Sequence, residues 1–388
     1  MKGKASLIYL YVPWVFDRLG GVDVVVNNLY FGLRAQGANA RIVEQLWGRS
    51  KEWNDSEGRR FVTMNSFVPE FNGGVFQRLK ILASFVYHGI YTLRNLRSSG
   101  VTLINAHFPT KHLFMLCLLR RTHLWSGKIV LSFHGADVDG IQPQDPLWKF
   151  ILDTAEGISV CSYALKDKLQ QNIGADRYPV EVIHNGIEPS CFSHNEAPRD
   201  FDFGATKVDD YIVCLANFVA HKGQDILVEA FCEIHEKYSE IKLVLAGGRD
   251  NGEWLAHIKK RCHELQIADC VVFILDVPYD NVAILLKEAE VLVLPSRYES
   301  FGLVIAEAGL AGTPVVAFDV GGISELVSSI DHGLLVPVGD VVALAKAIES
   351  TLDFPERSKI TADNLRNRVL NEFSCDKMCK GYADLFSS

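Results

Sequence analysis

Residues 290–325 constrain the fold more than any other part of the chain. They begin with an uncharged apolar run, Val291–Leu294, followed by Pro295-Ser296-Arg297-Tyr298. A short apolar run bounded by breakers reads as a buried strand, and the breakers mark the loop at its carboxyl end. Ser300-Phe301-Gly302 then opens a helical pattern that carries Ile305, Glu307 and Leu310 and stops at Gly312. Pro314-Val-Val-Ala-Phe318 is a second short strand. Gly321-Gly322 is a loop ahead of a helix start at Ser324-Glu325. Strand, loop, helix and strand in this order predict a parallel α/β unit.

Two carboxylates stand in that unit, Glu299 in the loop and Glu307 inside the helix. If the whole interval were helical, a rise of ~1.5 Å per residue would put them about 12 Å apart. The paired carboxyls of a retaining glycosidase lie roughly 5 Å apart, so that chemistry is excluded. The wider span suits the two ends of one ligand. The helix start between them offers unpaired N–H groups and a positive dipole end, which favour an anion. A nucleotide-sugar, with phosphates in the middle and hydroxyls at both ends, matches.

The composite pattern resembles retaining glycosyltransferase family 4. It consists of Glu299-x7-Glu307 enclosing Ser300-Phe301-Gly302-Leu303, then Gly312-Thr-Pro-Val-Val and Gly321-Gly322-x-x-Glu325. The resemblance implies a GT-B architecture, two doubly wound parallel-sheet (Rossmann-like) domains facing across a cleft. It is strong over residues 210–350 and loose over 5–190. It also implies retention of anomeric configuration, with no metal and no cofactor; the nucleotide-sugar is a substrate.

The length of 388 residues exceeds what one core usually holds. The expected division is 1–190 on the acceptor side, a Pro- and charge-rich linker at 191–209, 210–368 on the donor side, and a helix at 369–388 returning to the first domain. A hydrophobic content of 48% with 22% charged residues is ordinary for such a protein. The net charge of −8 argues against nucleic acid as a partner. Nine cysteines without a C-x-x-C pair fit a reduced, cytoplasmic protein. No apolar run is long enough for a transmembrane helix.

Along the first half, Leu7–Val12 is a strand leading to Gly20-Gly21 and a helix through Val25, Leu29 and Leu33. The loop lacks G-x-G-x-x-G, which speaks against a nicotinamide dehydrogenase. By resemblance, Gly20 and Gly21 lie beside the reacting sugar. Residues 48–60 are polar and read as a loop. Residues 74–97 read as a helix with Arg78, Lys80, Arg94 and Arg97 and no acidic side chain. Such a helix either covers a sheet or makes peripheral contact with an anionic membrane face. A strand at 129–133 ends in His134-Gly135-Ala136-Asp137. Strand ends are where doubly wound sheets bind ligands, and an imidazole can hydrogen-bond a sugar hydroxyl. The family's His-Gly-x-Asp places that histidine near the donor sugar.

In the second half, Lys222-Gly223 follows a strand, where a lysine can neutralise a leaving diphosphate. The family usually has an arginine at the position of Asn217, which hydrogen-bonds phosphate but brings no charge. Arg297 and Arg249 are the cations available to compensate. The resemblance gives Glu307 the ribose diol. Glu299 is assigned the donor-sugar hydroxyls, and the backbone N–H groups of Phe301, Gly302 and Leu303 the sugar or phosphate oxygens. Catalytic roles are thus expected for Glu299, His134 and Lys222. Donor binding falls to Gly20, Gly21, Asn217, Ser300, Phe301, Gly302, Leu303 and Glu307. The reaction expected is hexosyl transfer from a UDP-sugar, or second from GDP-mannose, to a glycan, lipid-linked or polysaccharide acceptor. The alternatives are a nucleotide-sugar epimerase or a phosphorylase of the same architecture, and a catalytically silent sugar-binding protein.

Overall fold

The computed structural model describes residues 7–16, 20–46, 51–65, 68–69, 74–142, 144–174, 177–192, 208, 210–248 and 252–388. The chain divides into two units, Met1–Gly186 with Cys375–Ser388, and Ile187–Ser374. The first boundary falls at Gly186, where the sequence reading put it at 190.

The first unit runs β1 (Leu7–Val12), α1 (Gly21–Ala35), β2 (Asn39–Gln45), β3 (Glu52–Asn54), β4 (Arg60–Met64), α2 (Val75–Ser99), β5 (Val101–His107), α3 (Phe114–Arg121), β6 (Lys128–Phe133), α4 (Pro146–Leu152), β7 (Gly157–Val160), α5 (Tyr163–Ile173) and β8 (Glu181–Val182). Its sheet has the order β3-β4-β2-β1-β5-β6-β7-β8. All pairings are parallel except β3 with β4. The chain moves outward from β1 in both directions, so β1 and β5 flank a topological switch point. β1 is buried along its whole length, as its apolar run demands.

Two elements differ from the sequence reading. Residues 52–54 form an edge strand inside the stretch read as a loop; Trp53 lies opposite Phe61, and the two rings stack 5.3 Å apart. α4 was not expected either. Asp145 caps it, accepting from the N–H of Leu147 at 2.9 Å, and Pro146 takes its first position.

The second unit runs β9 (Tyr211–Leu215), α6 (Gln224–His235), β10 (Lys242–Gly247), α7 (Glu253–Glu264), β11 (Val271–Leu275), α8 (Tyr279–Lys287), β12 (Val291–Leu294), α9 (Leu303–Ala311), β13 (Val315–Phe318), α10 (Ile323–Leu326), β14 (Leu334–Val336), α11 (Val341–Asp353) and α12 (Pro355–Glu372). Its sheet is wholly parallel, in the order β11-β10-β9-β12-β13-β14. β9 and β12 flank the switch point here. α9 is apolar around most of its circumference and accordingly buried from Ile305 to Leu310. Gly309 lets Leu365 and Val369 of α12 approach it closely.

The last helix, α13 (Cys375–Ser387), belongs to the first unit. It crosses α1 at Gly32, where Cys379 occupies the space a side chain would need. Met378, Cys379 and Tyr382 are its buried face. No helix among the described residues is long and apolar enough to cross a membrane.

Candidate active site

The loops after β9, β12 and β13 leave neighbouring strands of the second unit on the same side of the sheet. The first makes a short 3-10 turn, Ala220–Lys222, and ends in Gly223. Gly223 has φ +70°, and a Cβ there would run into the carbonyl of Pro295. The glycine therefore brings this loop against the β12 loop. The contact is sealed by Arg297, whose N–H donates to the His221 carbonyl at 2.8 Å. The Arg297 guanidinium forks onto Asp225 at 2.8 and 2.6 Å and also donates to the Ala220 carbonyl at 2.7 Å. Arg297 thus holds two loops together; Arg249, the other expected cation, lies outside the described residues.

This seating brings Lys222 and Glu299 into a salt bridge, Nζ to Oε2 at 2.7 Å, with side chains 20% and 14% exposed. Gly321, at φ +57°, lets the third loop pass against the backbone carbonyl of Glu299, which the N–H of Gly322 meets at 3.2 Å. Three loops from three strands therefore fix one carboxylate. Asn217 is exposed at the mouth of β9; its Oδ1 accepts from the N–H of Gly248 at 3.3 Å.

Beyond Glu299 the chain turns at Gly302, with φ +92°, and becomes helical only at Leu303. The ~12 Å spacing assumed helix throughout, so that premise is corrected: residues 299–302 are not helical, because the left-handed Gly302 starts α9 late. The N–H groups of Leu303 and Val304 precede the first acceptor of the helix. The Phe301 side chain is core, edge-on to Phe373 at 5.7 Å, so only its backbone is available to a ligand.

Glu307 lies one turn into α9 with 7% of its surface exposed. Burial pushes its carboxyl up to about 7. No hydrogen bond or ion pair reaches it from the described residues. A buried carboxylate without a partner is costly, and the cost is met when a ligand supplies donors.

In the first unit, Gly20 caps α1 with an ordinary extended backbone, and a Cβ on it would meet nothing within 4 Å. The fold itself therefore does not require this glycine. Gly21 is the first residue of α1. His134, just after β6, is buried and held neutral, its imidazolium pushed down to about 4 by burial. Its Nε2 lies 2.9 Å from Nδ1 of His107, at the end of the neighbouring strand β5. Asp137 accepts from the N–H groups of His134 at 2.9 Å and Gly135 at 2.7 Å, which fixes the loop. Burial nonetheless holds the Asp137 carboxyl up at about 6.

Sequence reasoning missed His107 and the polar side chains behind it. The available signal was the placing of histidines at the ends of two consecutive strands. Within the second unit the structure joins Lys222 to Glu299 and places Leu303 and Glu307 in α9; within the first it gives His134 a histidine partner.

Residues 198–368 match the family described as Glycosyl transferases group 1, and residues 19–190 match Glycosyltransferase Family 4. N-acetyl-alpha-D-glucosaminyl L-malate synthase of Bacillus anthracis is 26% identical over 292 residues, 74% of this chain and 74% of that protein. Among solved structures, sucrose-phosphate synthase of Thermosynechococcus elongatus aligns with a TM-score of 0.77 at 23% identity, over 98% of either chain. HepE of Anabaena, in complex with UDP and glucose, aligns with a TM-score of 0.76 at 18% identity, over 99% of this chain and 100% of that one. The fold is accordingly GT-B, with two Rossmann-like parallel-sheet domains.

Proposed function

We propose that this chain is a GT-B glycosyltransferase similar to family 4, and that it moves a hexosyl unit from a nucleotide-sugar to a hydroxyl of a glycan, glycolipid or polysaccharide, with retention and without a metal. UDP-sugars are the first choice of donor, since a protein of the same fold holds UDP and glucose; GDP-mannose is the second.

The observation that carries this reading is Glu307, a carboxylate buried in α9 with no hydrogen bond from the described residues. A ribose diol supplies two donors to it. The diphosphate then lies at the start of α9, facing the N–H groups of Leu303 and Val304, with Lys222 providing the cation. Lys222 now holds Glu299 at 2.7 Å. In the complex that lysine is shared with the diphosphate, which leaves Glu299 oxygens for donor-sugar hydroxyls. His134 and the Gly20-Gly21 turn serve the reacting sugar and the acceptor. The acceptor oxygen bonds to the anomeric carbon on the face from which the diphosphate leaves, its proton passes to the departing diphosphate oxygen, and the remaining charge meets Lys222 and the helix end.

The test is a panel of nucleotide-sugars screened for a rise in melting temperature, followed by transfer assays with the stabilising donor. Donor-dependent transfer to a hydroxyl acceptor supports the reading. Turnover of the donor alone, dependence on inorganic phosphate, or binding without turnover sinks it.

α2 adds a membrane contact to this reading. Val75, Phe76, Leu79, Leu82, Val86 and Ile90 are exposed on it, and Phe85, Gly89, Thr92 and Leu96 form its buried side. Its charged residues are Arg78, Lys80, Arg94 and Arg97, all basic in a chain of net charge −8. An apolar stripe with only positive charges suits an anionic lipid surface.

A further inference from the structure

Five polar side chains are buried behind His134, in strands that are otherwise apolar. Asn105 and His107 lie on β5, Ser132 on β6, Ser159 on β7, and Tyr382 comes from α13. They alternate with apolar residues, so Asn105 and His107 share one face of the sheet with Ser132 and Ser159. Each such group costs free energy unless it is hydrogen-bonded, so apolar residues would make a simpler core. The sequence keeps a continuous chain instead.

The links are short and have a direction. The Tyr382 hydroxyl faces Ser132 and Ser159; both serine hydrogens are spent onward, so it can only donate, and to one of them. Ser159 Oγ donates to Ser132 Oγ at 2.9 Å. Ser132 Oγ donates to Asn105 Oδ1 at 2.8 Å. This turns the amide of Asn105 so that Nδ2, which can only donate, faces His107 Nε2 at 2.9 Å. His107 Nδ1 faces His134 Nε2 at 2.9 Å. A neutral imidazole has one N–H and one lone pair. If Nε2 of His107 accepts from Asn105, its proton must be on Nδ1, and it donates to His134. Nε2 of His134 must then be the lone pair, and the His134 proton is on Nδ1. That nitrogen makes no hydrogen bond with a described residue.

We propose that His107 is a positioning residue: the buried chain from Tyr382 through Asn105 to His107 locks His134 as the Nδ1–H tautomer, so that His134 meets its ligand as a hydrogen-bond donor only. Burial keeps both rings neutral, pushing the imidazolium form of each down, so neither is a proton carrier at neutral pH. The group held by His134 is then an acceptor oxygen, of a sugar hydroxyl or of a phosphate. This last step rests on the transferase reading; the tautomer does not.

The experiment is a two-dimensional 1H–15N multiple-bond spectrum of the full-length protein labelled with 15N-histidine, recorded without ligand. His134→Gln identifies the His134 signals by their loss. The expected result is a protonated, pyrrole-type nitrogen at Nδ1 of His134 and a bare one at Nε2. The reverse pattern in the unmodified protein overturns the inference, whatever the variants do. His107→Phe removes the donor, and His134 is expected to shift its proton to Nε2. His107→Asn, whose amide nitrogen stands near the lost Nδ1, is expected to restore it. With the stabilising donor, kcat/KM is expected to fall roughly tenfold in His107→Phe, about one hydrogen bond's worth, and to recover in His107→Asn. Equal losses in both variants, with the His134 tautomer unchanged, also overturn it.

Discussion

Replacing Glu307 by glutamine tests the site most directly, because the structure gives both the sign and the size of the effect. A glutamate carboxyl ordinarily titrates near 4.5, and burial pushes that of Glu307 up to about 7. Between those values the folded protein holds a proton that the unfolded chain has released. Stability from this group is therefore fully present below 4.5 and is lost as pH rises through about 7. The interval is about 2.5 pH units at about 1.36 kcal/mol each, or about 3 kcal/mol. Glu307→Gln has no such loss. Melting curves are expected to converge near pH 5 and to separate by pH 8, with the variant several degrees higher. Ligand binding reverses the preference, since a ribose diol donating to the carboxylate favours its ionised form. Affinity for UDP-glucose or GDP-mannose, whichever stabilises the protein, is expected to weaken below about pH 7 by up to tenfold per pH unit. Neither ligand titrates in that range, so calorimetry in buffers of different ionisation enthalpy reads the proton released on binding. Parallel melting curves from about pH 5 to 8, together with pH-independent affinity, would refute both the burial argument and the diol contact.

The remaining predictions concern the loops and α2. Lys222→Ala is expected to lower turnover at least tenfold, about 1.4 kcal/mol of barrier; wild-type rates in that variant exclude its phosphate role. Glu299→Ala should mainly slow transfer while donor affinity is kept, and a double-mutant cycle with Lys222 should show a coupling of about 0.5–3 kcal/mol; additive effects mean the pair does not act together. Gly321→Ala carries a left-handed backbone cost of about 1–2 kcal/mol and a clash with the Glu299 carbonyl. Gly312→Ala at φ +81° has open space, so it should cost less and leave turnover intact; equal losses contradict the loop argument. Phe76→Glu with Leu79→Glu should abolish sedimentation with vesicles of anionic phosphatidylglycerol without changing the melting temperature, and unchanged sedimentation rules out the α2 contact.

Local pattern carried the fold a long way. The apolar runs at β1 and β12 could only be buried strands, and the glycines that end or precede helices were visible as such. What escaped was short or non-local. β3 has three residues, too few for a period to show, and its pairing depends on Trp53 meeting Phe61 across the edge. The cap of α4, Asp145-Pro146, opens a helix of only seven residues, too short for its period to stand out. Arg297 was expected as a free cation, but its partner Asp225 is 72 residues away in sequence. Likewise Lys222 and Glu299 were assigned to different parts of one ligand, and only the folded loops bring them within 2.7 Å.

The residues that define the site are those that break the rules the rest of the chain obeys. A helix buried around most of its circumference has no packing reason to contain Glu307, and alanine there would bury without cost. Strands as apolar as β5 and β6 gain nothing in stability from Asn105, His107 and Ser132. Gly20 has room for a side chain that it lacks. Asn105, His107 and Ser132 satisfy one another, whereas Glu307 is a local loss that the fold does not recover among the described residues; each departure lies at the carboxyl end of a parallel strand or in the helix that follows one. Such losses persist when something outside the chain supplies the missing partner. A bound molecule with a diol and a diphosphate would satisfy Glu307 and the start of α9 together, and no single protein side chain could do both.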